Sequence, residues 1–263
     1  MHIAIDDTYG PAGAMPSKYV TGARRTYVAV EFPDAEAEEI RENIRECLAV
    51  LPEWLDNLPA EFHFTDIYNR RGAWAACPNK FNLIVFEAFA KIYRQYRWRV
   101  HVQTVDERTL ADDKVEVSGI VDRIDLDTRD GQALFLLLVK LKGLVPPPPE
   151  PLVLRIDAGN GKPDSSFANK VFREWGDLYD GRFADSIAEP LIQIADFLAF
   201  SINRCTHLQF KDSKTDLDLW FLSLIGGMSI RSSDVIQKEV DPTFLMSDID
   251  AIHAEDRRKK GLE

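Results

Sequence analysis

Cysteine is scarce in this chain of 263 residues: Cys47, Cys77 and Cys205 stand far apart, odd in number and without a Cys-x-x-Cys pair. That excludes a disulfide-framed miniprotein or a zinc ribbon, and fits reduced thiols. Long hydrophobic runs are missing as well; no stretch reaches the roughly 18 uncharged apolar residues of a membrane helix. The N-terminus enters residues 3–6 without a basic segment and apolar run, so a cytoplasmic protein without a membrane partner is expected. Positive charge is in deficit, 32 Lys plus Arg against 43 Asp plus Glu, for a formal charge of −11. A surface of that sign cannot coat a nucleic acid as a whole, which leaves only a local basic groove for such a role. The five histidines form no cluster along the sequence, and there is no internal repeat.

What is present is a globular composition, 45% hydrophobic and 29% charged, with enough apolar mass for one large core. A single α/β domain over residues 1–250 is expected, followed by a charged tail over 251–263 that frays. Residues 3–5 form a short β run that stops at Asp6-Asp7, and a Gly/Pro-rich loop with Gly10, Pro11, Gly13 and Pro16 follows. Residues 26–32 alternate as a second strand, and Pro33-Asp34 opens a helix with Ile40, Ile44, Cys47, Leu48 and Leu51 on one face. The stretch 52–78, with Trp54, Pro59, Trp74 and Pro78, has little periodicity and is expected to be an irregular connection. Residues 79–96 suggest a helix, 98–103 a half-buried strand, and 115–124 a strand or an insertion. Residues 133–145 are apolar on nearly every face, the pattern of a helix buried between layers, and the prolines of 146–149 then make an extended spacer. Residues 152–156 are an apolar strand ended by Asp157, and the stretch 158–161 turns the chain.

The segment 189–205 is the most unusual. It suggests a helix that is apolar all round except at Gln193, Asp196 and Asn203. A buried carboxylate needs a hydrogen-bond network, a cation or a metal ion, so Asp196 must be compensated. Asp6, Glu61 and Asp157 follow strands or lie in an aromatic-lined loop, and a parallel or mixed sheet would gather them beside Asp196. Four converging oxygen donors suit Mg²⁺ or Mn²⁺, and a two-metal site could hold both oxygens of a phosphodiester displacement.

Four segments, IAIDDTYG, EFHFTDIYN, LRIDAG and DSIAEPLIQIADFLAF, together resemble the prokaryotic domain of unknown function 3800 family, which is placed in the ribonuclease H-like superfamily. Asp7 and Thr8 stand where the family has Glu and Ser, and Tyr9 separates them from Gly10. The resemblance implies a ribonuclease H-like mixed central sheet flanked by helices, with an extra C-terminal segment. It implies Asp6, Glu61, Asp157 and Asp196 as acidic metal ligands, with His63 and Gln193 adjoining them and Asp7 behind them. His63 either moves a proton or orients a phosphate as a member of the site, or is a hydrogen-bonded structural residue between Phe62 and Phe64.

The expected function is metal-dependent hydrolysis of a DNA or RNA phosphodiester. Substrate phosphates would meet Arg70, Arg71 and Lys162, with Arg24 and Arg25 near the first loop. Tyr68 and Trp74 could stack on bases, although core packing suits the Trp better. The alternative is a non-catalytic interaction module of a mobile-element or phage-defence system, with a protein partner or a second copy of the chain. A glycosidase fits less well, because nothing suggests a long aromatic sugar cleft.

Overall fold

A computed structural model describes the chain except residues 11–16, 21–22, 52–54, 56–57, 79, 145–150, 236–243 and 263. Most of the Gly/Pro-rich loop, Trp54 and the 146–149 proline run therefore lie outside the described residues. In chain order the elements are β1 (His2–Tyr9), β2 (Arg25–Phe32), α1 (Asp34–Ala49), α2 (Phe64–Asn69), α3 (Phe81–Tyr96) and β3 (Arg99–Val105). There follow α4 (Thr109–Asp113), β4 (Ile120–Val121), β5 (Ile124–Asp125), α5 (Arg129–Leu144), β6 (Leu152–Asp157) and β7 (Tyr179–Ala184). The last three are α6 (Leu191–Gln209), α7 (Asp216–Gly226) and α8 (Met246–Lys259).

Five strands form one mixed sheet in the order β3-β2-β1-β6-β7. β1 pairs antiparallel with β2, and β2 with β3, whereas β1 pairs parallel with β6, and β6 with β7. Because side chains alternate along a strand, each strand feeds two cores. On β1, Ala4 belongs to one core with Val28, Val30, Val100 and Val102, while Ile3 and Ile5 belong to the other with Tyr27 and Ala29. The first core is roofed by α6 and then by α1, α2, α3 and α7; the second is covered by α5 and the segment before β7.

The alternating strands and the 3–4 spacing of α1 and α3 appear where the sequence pattern puts them. Five readings are corrected. β1 does not stop at Asp6: its ladder with β2 runs from His2↔Phe32 to Tyr9↔Arg25, so pairing overrides the poor strand preference of two aspartates. The connection over 52–78 is not irregular throughout, since Phe64–Asn69 is a helix and Gly72–Trp74 a 3₁₀ turn. Within 115–124 only two residues pair at a time, in the small β4–β5 ribbon outside the main sheet. α5 is an outer helix, with Val139 and Leu144 exposed; the helix buried between layers is α6. The charged tail is also ordered as far as Lys259. Met246 and Ile249 of α8 pack on Phe210, and Arg257 pairs with Asp112.

The docking of α5 on the β4–β5 ribbon has a simple test. A Cβ at Gly131 would overlap the Asp125 carbonyl, whereas one at Gly143 meets nothing within 4 Å. Gly131→Ala is expected to lose about 1–3 kcal/mol of stability. Gly143→Ala should gain about 0.5–1 kcal/mol, because alanine loses less backbone entropy in a helix. Urea melts of the two variants check the pair, and a neutral Gly131→Ala would contradict the packing.

Candidate functional site

The alternation that divides the cores also aims the acids. Asp6 follows Ala4 in phase and lies on the α6 face, while Asp7 follows Ile3 and Ile5 onto the α5 face. On β6, Leu152, Leu154 and Ile156 point to the α5 core, which leaves Asp157 on the α6 face. Ile5 lies beside Ile156 as the last pair of the parallel ladder, so Asp6, inside β1, and Asp157, the last residue of β6, follow it on the same side. Asp157 also accepts the Gly159 N–H at 3.1 Å, capping the turn that follows.

α6 supplies the opposite wall. Asp196 Oδ2 accepts the backbone N–H of Phe64 at 3.0 Å, and Gln193 Oε1 accepts that of Phe62 at 3.0 Å. The two bonds seat residues 61–64 in extended form along the helix. Phe62 and Phe64 turn inward onto Phe89, with Phe64 also 5.0 Å from the Phe197 ring, while Glu61 and His63 turn away from the core. Gln193 Nε2 donates to the Ser186 carbonyl at 2.8 Å, and the Ser186 hydroxyl donates to Glu61 Oε2. His63 Nδ1 lies 3.1 Å from Asp66 Oδ2 on the first turn of α2.

The electrostatics bind these segments into one group. Burial, and then the charges of Asp196, Asp7 and Asp157, hold the Asp6 carboxyl well above its usual range. Burial pushes Asp196 up to about 7; His63 and the Phe64 N–H oppose that shift, and Glu61 and Asp157 add to it. Burial lowers His63, but Asp196, Asp66 and Glu61 outweigh it and raise the imidazole above its ordinary value. Asp7 is pushed up to about 6 by burial and by Asp130 and Asp157, against Arg25. Asp6, Glu61, Asp157 and Asp196 make no ion pair with Lys or Arg among the described residues.

The donors are all carboxylate oxygens, the type that Mg²⁺ and Mn²⁺ select. In type they fit a hard cation, and among the described residues the one cationic group shown to act on Asp196 is the His63 imidazole. Their spacing is looser than that of a finished ligand cage: among the described residues no three His, Cys, Asp or Glu are set to hold an ion.

Other expected site residues fall at varied distances from this group. Gln193 braces it from within α6, and Asp7 adjoins Asp6 from the opposite face, in a network where Tyr27 Oη donates to Asp130 Oδ2 at 3.0 Å. Arg71 and Lys162 are exposed, while the Arg70 side chain donates to the Cys77 carbonyl. Arg24 is corrected: it is buried, 5% exposed, and bonded to Asn203, so it is not half of an exposed basic pair with Arg25. Trp74 is buried, and Tyr68 packs on Phe86, Phe200 and Phe221, so neither ring is free to stack on a base. Sequence reasoning gave no role to Ser186, Asp66 or Asn203. Ser186 stands in the Asp-Ser pair just ahead of α6, the signal that could have found it.

The raised carboxyls set the pH dependence. A group whose pKa is higher folded than unfolded contributes stability below its unfolded pKa and loses it as pH rises through the folded value. Asp6, Asp7, Asp196 and His63 all act in that sense. His2, His207 and His253, lowered by burial, act in the opposite sense, so the acids are read from a difference: in EDTA the wild-type melting temperature is expected to fall relative to that of Asp196→Asn between pH 4.5 and 7.5. Calorimetry of the two proteins across that range checks it; a difference that does not change with pH would contradict the carboxylate coupling.

No family model matches the sequence, and no curated protein is similar to it at a significant level. Among solved structures, a chain of the PCNA:RNase HII complex from Archaeoglobus fulgidus superposes with a TM-score of 0.35 and 14% identity, over all of this chain and 89% of that one. A superposition that loose carries nothing about the site. The five-stranded mixed sheet flanked by helices stands on its own strand pairings.

Proposed function

We propose that the protein is a ribonuclease H-like, Mg²⁺- or Mn²⁺-dependent hydrolase of nucleic-acid phosphodiesters. The observation that carries this reading is that acids from four separate segments, β1, residues 61–63, the end of β6 and α6, act on one another's charge, and that none of them pairs with Lys or Arg among the described residues. Structural acids far apart in sequence are normally paired with cations, because desolvated like charges repel. The mixed sheet and the four family-like segments support the same reading.

Asp6, Asp157, Asp196 and Glu61 would hold the cation. When bound, it supplies positive charge against the negative charge that develops on the phosphodiester. His63, half exposed and kept protonated to higher pH by its acidic neighbours, would donate a proton to the leaving oxygen or hold a phosphate oxygen. Glu61, oriented by the Ser186 hydroxyl, and Asp196, fixed by the Phe64 N–H, would keep their carboxylates in place. Arg71 and Lys162, exposed on segments leading from the acids, would contact phosphates without reading sequence.

Asp196→Asn keeps the shape and the acceptor for Phe64 N–H but removes the charge. Millimolar Mn²⁺ is expected to raise the Tm of the wild type, because the ion binds only the folded acids, and to raise that of the variant less. Cleavage of labelled single- and double-stranded DNA and RNA should fall at least about a hundredfold in the variant, while its metal-free Tm stays level or rises. A wild type whose Tm ignores Mn²⁺ and which cleaves none of these substrates would overturn the reading and leave the interaction module.

A further inference from the structure

A cavity of about 930 Å³ opens beside the C-terminal half of α6, away from Gln193 and Asp196 along the helix, between α6, α7, α8 and the β2–β3 ladder. Its size is that of small-molecule sites, about 300–1,000 Å³. None of the acids discussed above lines it. Ile202, Phe210, Leu222, Ile225 and Ile249 make much of its wall apolar. Arg24 forms part of the same wall.

Arg24 is in an unusual state for a buried cation. Its Nη2 donates to Asn203 Oδ1 at 3.2 Å, and the guanidinium carbon lies 5.8 Å from the centre of the Phe210 ring. Its Nη1, buried, has no hydrogen-bond partner, and the side chain makes no ion pair among the described residues. The acid that acts on it through space is Asp106, and Asp106 Oδ1 already takes the Arg108 N–H, the Thr109 N–H and the Thr109 hydroxyl. An unpaired buried charge costs several kcal/mol, so a fold keeps one where something else completes it.

We propose that this cavity binds a small organic carboxylate with an apolar body, its carboxylate paired with Arg24. Thr26 and Thr104 add a second polar contact. Their hydroxyls share one hydrogen bond at 2.8 Å on the cavity wall, and whichever accepts it keeps its own proton to donate. The ligand is a monoanion because Asp106 also borders the cavity without an ion pair among the described residues, while Asp234 there is already paired with Lys140 at 3.2 Å; a doubly charged phosphate would bring more negative charge than Arg24 alone can match. The apolar lining sets the rest of the ligand. Burial already weakens the hold of Arg24 on its proton, and a bound carboxylate would reverse that.

The test is isothermal titration of the whole chain in EDTA, which keeps the acid site out of the result. The probes are decanoate below its micelle concentration, decanol and decyl phosphate. Decanoate is expected to saturate one site at least tenfold more tightly than decanol. Arg24→Gln should loosen decanoate at least tenfold and leave decanol unchanged, while Leu222→Trp, which fills the cavity, should abolish both. Asp196→Asn should bind decanoate as the wild type does. Circular dichroism confirms that each variant is folded, and the decanoate-to-decanol preference of the wild type stands even where a variant is not. Equal binding of decanoate and decanol, decanoate binding undiminished in folded Arg24→Gln, tighter binding of decyl phosphate, or no saturable heat would each overturn the proposal.

Discussion

A helix held between a sheet and a second helical layer has no solvent to which it can turn polar side chains. α6 is such a helix, and the two polar residues in its buried first half each hold a backbone N–H of another segment. Gln193 and Asp196 thus do the work that a strand ladder would do, fixing an extended stretch that belongs to no sheet. The phenylalanines of that stretch sink into the aromatic core while its acid and imidazole stay at the rim. Neither effect suffices alone. Ring packing would leave the backbone N–H groups unpaired in a dry environment, and the hydrogen bonds without the rings would hold a segment with no hydrophobic gain.

Much of this could be read from the residues, and the reason differs by element. The 189–205 pattern revealed α6 because three polar residues in an apolar helix cannot be explained by a solvent face. β6 was legible because a short apolar run ended by Asp157 and a Gly-rich turn has few other meanings. β1 was cut short because Asp6 and Asp7 look like a stop, and only the partner strand reveals that eight consecutive residues pair. α2 escaped because one and a half turns carry too few positions for a period to register. Arg24 looked like half of a basic surface pair; its burial is set by α6 and Phe210, nearly 180 residues later, which no local pattern records.

The acids illustrate a tension between folding and chemistry that the sheet makes unavoidable. Parallel pairing sets the middle of β1 beside the end of β6, and a side-chain period of two leaves Asp6 and Asp157 on one face. A one-residue slip of either strand would carry its acid to the α5 core instead. Register therefore does two things at once: it fills both cores and it forces carboxylates together. Burial, and then that repulsion, holds the Asp6 and Asp196 carboxyls above the usual carboxylate range and lowers stability at neutral pH, a loss that any cation binding only the folded acids would offset.

A second unfinished charge, that of Arg24, lies against α6. Asn203 follows Asp196 by seven residues, about 10 Å along the helix, and its side chain holds Arg24 on one side and Thr8 and the Tyr9 carbonyl of β1 on the other. β1 also carries Asp6. An excess of negative charge at one place on α6 and an unpaired guanidinium at another cannot neutralise each other across two turns of packed helix, since each is desolvated where it stands. Had the fold needed only a stable core, moving one acid two turns along α6 would have served both groups. The proposed cation site at the acids and the proposed carboxylate site at Arg24 therefore share one premise: each desolvated charge would be matched where it stands by a counter-charge from outside the chain, not by the other.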